Sequence, residues 1–486
     1  MELSLLSSPL MLPLLSLPLI LTIFTLSVSA FLYNKAKSGP KTNLPPGSFG
    51  WPILGETYEF LYGNSEKFIG DRMKKYSPKV FKTKVYGEAT AVLCGAAAHK
   101  FITANEEKLF RVWRPYSLQK LFRAPFLPNA SATIPRETMV KVTRAPGFIK
   151  TEALVGYLGK MDLMVQQHLK MFWEGKQKLR AYELIHRMTA TLSSRFFLGL
   201  EDNDHRIEKF AELSDGMTVG LHSMPIYFPG TVFYHSKKSA EAMRQLVQQL
   251  IKEKKAAMSS GIQMHDILSH MILSSNPSEG RFVSDMEISS LSSALVVSGF
   301  TTPATALAIV MKYIVERPEI YEKIRAEQLE ISESKKSGET LNWEDLQKMK
   351  YTWHTLLEVM RIIPPFQGAF REALSDFTYE GYTIPKGWKV YWTITTTNKN
   401  PECFPEPEKF DPTRFESPPP YTFVPFGGGL RVCPGKEYTR LVMLIFLHNL
   451  VKNFKWEVLA PDENMIGTVI PTPAQGFPIR LQPLSA

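Results

Sequence analysis

Cysteine is scarce: Cys94, Cys403 and Cys433 are the only three in 486 residues. An odd, sparse count argues against a disulfide scaffold and fits a reducing compartment. Runs of one charge are missing too. The net charge is +10, but lysine and arginine alternate with acids, as across 320–350. The plain expectation is a solvated surface; the sharper one is a basic face for an acidic partner or anionic lipid headgroups. No zinc-ligand spacing, basic helix or RNA-binding signature occurs, which argues against nucleic acid as a partner. The one glycosylation pattern, Asn129-Ala130-Ser131, needs a lumenal location and is otherwise chance. No internal repeat is visible, and no linker follows residue 50.

Charged residues are also absent from 3–33. An apolar stretch of that length is enough for a helix across a hydrocarbon core of ~30 Å. A cleaved leader would carry a positive start and a shorter core; here only Glu2 precedes. Pro9, Pro13 and Pro18 interrupt the first half, which places the span near 14–33. Lys35, Lys37 and Lys41 follow, so the downstream chain is expected on the cytosolic side. Leu44-Pro45-Pro46-Gly47 then reads as a stiff hinge. The expected organisation is an anchor at 1–34, a basic and proline-rich hinge at 35–50, and one large body at 51–486.

The body reads as mainly α with small β-sheets. Residues 80–85 and 89–94 flank Gly87-Glu88 as a hairpin. From about 150 to 360 the periodicity is helical, with one helix over 236–258. Ser284 and Glu287 form a capping-box pattern opening an apolar run to Val315, too long for an ordinary helix and too polar to span a membrane. Asn342 is placed to cap a helix through Arg361. Short strands follow over 373–392, turning at Glu380-Gly381 and Pro385-Lys386-Gly387. A helix resumes at Pro434 and runs to Lys452.

The stretch Phe426-Gly427-Gly428-Gly429-Leu430-Arg431-Val432-Cys433-Pro434-Gly435 carries the strongest chemical signal. A thiolate bound to iron needs little side-chain bulk beside it, hydrogen bonds to sulfur and the start of a helix. Glycines and Pro434 meet those needs, with Cys433 as the ligand. A buried cysteine after a glycine-rich turn is the plain alternative for Cys433 alone.

This pattern resembles the haem-binding loop of the cytochromes P450, Phe-x-x-Gly-x-Arg-x-Cys-x-Gly. Glu358-Val359-Met360-Arg361, Pro412-Thr413-Arg414-Phe415 and the Leu44–Gly47 hinge match further family motifs. Within the family, Gln367-Gly368-Ala369-Phe370-Arg371-Glu372 and Pro434-Gly435-Lys436-Glu437-Tyr438 look like the plant branch that oxidises triterpenoids, near the taxane hydroxylases. The resemblance implies a cytochrome P450 fold behind a single N-terminal transmembrane helix. It implies haem b on Cys433, with Phe426 and Gly435 beside it and Arg371 and Arg431 toward its propionates. Where the family usually adds a further basic pair, the matching positions hold Thr138 and Val142, so Lys141 or Arg144 would have to compensate. Glu358, Arg361 and Arg414 are implied as a structural cluster, one carboxylate between two guanidiniums.

The oxygen-activating helix departs from the family pattern. Ser298-Gly299-Phe300-Thr301-Thr302-Pro303 puts Thr302 at the hydroxyl position and Thr301 where an acid is usual. Threonine can relay a proton but does not titrate near neutral pH. Pro303 removes the hydrogen bond to the Gly299 carbonyl, and the expectation is a kink that opens a groove there. Three functions stay open. They are hydroxylation or further oxidation of a terpenoid, a haem-thiolate isomerisation, dehydration or oxidative rearrangement, and a degenerate haem protein. The resemblance implies Val296, Phe300, Phe366, Phe370 and Phe477 as pocket residues, and an apolar, aromatic lining suits a large apolar terpenoid. No flavin or nicotinamide motif is present, so electrons are expected from NADPH through a membrane-bound cytochrome P450 reductase. Lys436 and Arg440 are expected at its docking face. The resemblance implies the endoplasmic reticulum membrane, with the catalytic body cytosolic.

Overall fold

The computed structural model describes residues 22–30, 43–122, 151–275, 284–466 and 470–484. Asn129 and the positions Thr138, Lys141, Val142 and Arg144 lie outside them. Two compact units divide the chain: Met1–Val112 with Ala369–Thr393, and Trp113–Gly368 with Ile394–Ala486. Residues 22–30 are helical, and Ile23, Phe24, Leu26 and Val28 are exposed on them.

The first unit is built on a five-stranded sheet. Its order is Val80–Val85, Glu88–Leu93, Lys389–Thr393, Gly368–Ala373 and Phe110–Val112. The first two strands pair antiparallel with Val85 opposite Glu88. Their turn is centred on Tyr86 and Gly87, at φ 55 and 76. Two left-handed residues give the turn whose twist suits a hairpin, so it sits one residue earlier than the sequence implied. The short hairpin Phe377–Tyr379 and Tyr382–Ile384 turns at Glu380-Gly381 as expected. The hinge segment is strapped to the sheet edge: the Lys82 N–H donates to Pro46 O at 2.8 Å. Gly47 is at φ 142, where a Cβ would strike the Lys82 carbonyl, so this position requires glycine.

The second unit is helical. At its centre runs Asp285–Val315, opened by the full Ser284–Glu287 capping box. By length and composition this helix is apolar enough to cross a membrane, contrary to the sequence reading, yet it is mostly buried. Ala181–Ser193, Arg206–Thr218 and Val232–Ser259 pack along it. The last of these starts before residue 236 because Thr231 caps it, accepting from the Tyr234 N–H. The helix expected from Asn342 to Arg361 is two, Trp343–Lys348 and Lys350–Ile362. Asn342 and Asp345 box the first, and Met349 at ψ 49 breaks the path. The helix after the cysteine loop, Lys436–Asn453, begins past Gly435, so Pro434 precedes it rather than forming its first turn. Buried residues run from Leu441 through Val451, which makes it a core helix.

Candidate functional site

None of the ten residues 426–435 is buried, in a chain whose neighbouring helices are. The Cys433 N–H donates to Phe426 O at 2.8 Å and closes the loop. Gly427 and Gly429 sit at φ 70 and 61, backbone that glycine adopts without strain. Cys433 is a free, exposed cysteine. Protein packed beneath it desolvates the thiol and pushes its pKa up, an effect the Gly435 backbone partly offsets. A Cβ at Gly435 would sit 3.9 Å from Cys433 Sγ, in ordinary contact with it, so Gly435 lies directly beside the sulfur. Among the described residues no group of three or more His, Cys, Asp or Glu side chains is arranged to hold a metal ion. One reachable sulfur, flanked by glycine backbone, suits an iron whose other ligands come from a macrocycle. The donor set therefore fits haem, and binding would displace the thiol proton.

The central helix turns an accessible stripe outward. Ala294, Leu295 and Thr302 are partly exposed and Ser298 is exposed, while nearly all their neighbours are buried. Successive residues rotate by about 100°, so Ser298 and Thr302 share a face and Phe300 points the opposite way. Thr302 Oγ1 donates to Ser298 O. Thr301 is buried, and its Oγ1 makes no hydrogen bond.

That rotation turns Val296 and Phe300 away from the accessible stripe. Val296 and Phe300 are wholly buried in the hydrophobic core of the helical unit, and Phe477 packs in the same core. Phe370 lies in the sheet unit among Phe60, Tyr86 and Tyr391. Phe366 is exposed. Ser298 and Leu295 were missed because an almost uniformly apolar helix does not announce which stripe is open.

Glu358 and Arg361 lie on one helical turn and are both fully buried. Arg361 donates to Glu358 through Nε at 2.7 Å and Nη2 at 2.8 Å, to Asn398 O at 2.7 Å and to Pro407 O at 2.8 Å. The Asn398 amide returns a bond to Arg361 O, and the Asp411 N–H donates to Glu358. Arg414 is a looser arm, 3.5 Å from Glu358, with its Nη atoms on Pro405 O and Glu406 O.

In the sheet unit Arg371 is buried, and its Nε donates to the buried Glu106 at 2.8 Å. No sequence signal pointed to Glu106, a tertiary partner far away in the chain. Arg431 lies half-buried in the cysteine loop. Lys436 is exposed, but Arg440 is not a free surface charge. It pairs with Glu437 at 3.5 Å and lies over the Trp343 and Trp353 rings.

A thiol on a glycine loop, leading into a core helix and accompanied by a buried Glu358–Arg361 pair with Arg414 beside it, defines a haem-thiolate class of protein. Residues 45–475 match the cytochrome P450 family, and the chain belongs to that family. It is 47% identical over 472 residues to a β-amyrin 28-monooxygenase of Saponaria officinalis, covering 95% of this chain and 96% of that protein. It is 42% identical over 447 residues to a β-amyrin 6-β-monooxygenase of Solanum lycopersicum, covering 91% and 94%. The retinoic acid-bound cyanobacterial CYP120A1 structure is similar at TM-score 0.79 and 31% identity, over 91% of this chain and all of that one.

Proposed function

We propose that this cytochrome P450 monooxygenase oxidises a pentacyclic triterpenoid of the β-amyrin type, drawing electrons from NADPH through a membrane-bound flavoprotein reductase. The observation that carries the reading is Cys433, a reachable thiol in a glycine loop, in a chain 47% identical to a β-amyrin 28-monooxygenase. Haem b bound at Cys433 would supply the oxygen-activating chemistry. Cys433 would hold its iron, Phe426 and Gly435 would border it, and Arg431 would face a propionate.

The chain's own residues do the rest. Ala294, Leu295, Ser298 and Thr302 offer an apolar stripe carrying two hydroxyls, suited to a large hydrocarbon skeleton. The Thr302 hydroxyl hydrogen is held by Ser298 O, so its lone pairs are turned to accept from water or a substrate hydroxyl. Thr301 puts no titratable acid in this segment and is buried, so protons travel through the Ser298 and Thr302 hydroxyls and water. We place the chain in the endoplasmic reticulum membrane as a single-pass protein with its catalytic body in the cytosol. The uncharged residues 3–33, the lysines after them and the exposed apolar helix at 22–30 support this.

The test supplies β-amyrin, a flavoprotein reductase, NADPH and oxygen, and analyses the product by mass. A product with added oxygen, formed only when NADPH and oxygen are present, is expected. Conversion without either would mean isomerisation or dehydration. No conversion of any triterpenoid by a haem-loaded protein would refute the substrate class.

A further inference from the structure

Pro303 has no N–H, so the Gly299 carbonyl lacks its partner within the helix. The helix nevertheless continues through Pro303 to Val315. The Gly299 carbonyl is not left unpaired; a side chain from another helix takes the place of the missing N–H. The Ser193 hydroxyl donates to Gly299 O at 2.9 Å. Ser193 Oγ also lies 2.8 Å from the Tyr438 hydroxyl. A carbonyl only accepts and serine has one hydroxyl hydrogen, so Tyr438 is the donor of that second bond. The chain of bonds runs Tyr438 to Ser193 to Gly299. Burial holds the Tyr438 phenol well above its ordinary pKa range.

Four further observations converge here. A Cβ on Gly299 would collide with the Phe197 ring and crowd Ser193 Oγ. The Phe197 and Tyr438 rings lie 5.0 Å apart. One turn before Ser193, Thr189 Oγ1 is 2.9 Å from the next carbonyl, Phe300 O. Directly after Ser193 the helix widens into a π-turn, Ser194–Leu198, a distortion common near functional positions. Ser193, Thr189 and Tyr438 are all buried.

We propose that Ser193 and Tyr438 are positioning residues that replace the N–H missing at Pro303. They tie the first turn after the cysteine loop to the segment bearing Thr301 and Thr302. The central helix thereby keeps its register against the Cys433 loop despite the proline. The consequence for turnover rests on the proposed monooxygenase reading; the structural link does not.

The test is hydrogen–deuterium exchange of the central-helix amides across 299–307 in the full chain. The proteins compared are wild type, Ser193→Ala, Tyr438→Phe, Pro303→Ala and the double variant Ser193→Ala/Pro303→Ala. Stranding a buried carbonyl corresponds to about tenfold faster exchange in Ser193→Ala. Tyr438→Phe, which keeps the ring, is expected to move the same amides less, and Ser193→Thr to restore protection. Pro303→Ala returns the helical N–H, so Ser193→Ala should then have little effect. A Ser193→Ala effect of equal size with and without the proline would overturn the proposal, as would unchanged exchange in both Ser193→Ala and Tyr438→Phe. In the haem-loaded enzyme, Ser193→Ala should lower the fraction of consumed NADPH recovered as product, with the Soret band of the reduced carbonyl form unchanged. Exchange coupling without turnover of any triterpenoid would leave this link standing and remove the substrate assignment instead.

Discussion

Arg361 grips Glu358 with two hydrogen bonds, 2.7 and 2.8 Å, and neither side chain has any exposed surface. Arg414 reaches the same carboxylate only at 3.5 Å and spends its Nη atoms on backbone carbonyls. Removing one member of a buried pair strands the other's charge, at about 3–5 kcal/mol. Glu358→Gln and Arg361→Lys should therefore unfold at clearly lower temperature than wild type, and Arg414→Lys should lose less. Thermal unfolding of the three variants checks the order; an equal loss in Arg414→Lys would contradict it.

Gly47 predicts a second effect. At φ 142, with the Lys82 carbonyl where a Cβ would be, Gly47→Ala strains the strap. A cost of about 1–3 kcal/mol is expected. Exchange should rise at the Lys82 amide, which donates to Pro46 O, while the core helices of the other unit stay protected.

Opposite faces of the central helix should respond differently. Phe300 is fully buried, so Phe300→Ala should cost about 3–5 kcal/mol of stability. Ser298 is exposed, so Ser298→Leu should stay within about 0.5 kcal/mol of wild type. The same Ser298→Leu change should alter KM or product position with β-amyrin. Steady-state kinetics beside unfolding curves separate the two.

Buried histidines set an acid limit. Burial drives His448 down to about 3 and His168 to about 4. Their folded values lie below the ordinary 6.5, so the unfolded chain binds more protons between those values. Stability is then full above about pH 6.5 and is lost as pH falls toward 4, by on the order of 1–2 kcal/mol per histidine from pH 7 to 5. His448 Nδ1 donates to Gln328 Oε1 at 2.9 Å, a bond a glutamine amide can also donate. Unfolding of His448→Gln should depend less on pH over that window.

Local features were readable from the sequence because neighbours in the chain determine them. The Ser284–Glu287 box, the Glu380-Gly381 turn and the ten-residue cysteine pattern are of this kind. The i,i+3 pair Glu358–Arg361 was readable as a pair, but Asn398 O and Pro407 O, which complete it, come from distant chain. Three kinds of information were out of reach. Helical faces were one: the family resemblance placed Val296 and Phe300 at a pocket, and a helix apolar on nearly all sides gave no sign that they face the core. Tertiary partners were another, as with Glu106 on Arg371 and the tryptophans under Arg440. The last was the answer to Pro303, since a missing N–H says that a donor is needed and not that Ser193 will supply it.

The central claim is that Cys433 ligates haem iron through sulfur, and the carbon monoxide difference spectrum of the reduced, haem-loaded protein tests it most directly. The account predicts the red-shifted Soret band of a thiolate-bound carbonyl haem in wild type, and its loss in Cys433→His. An unshifted band in wild type, or a red-shifted band that survives Cys433→His, would contradict it.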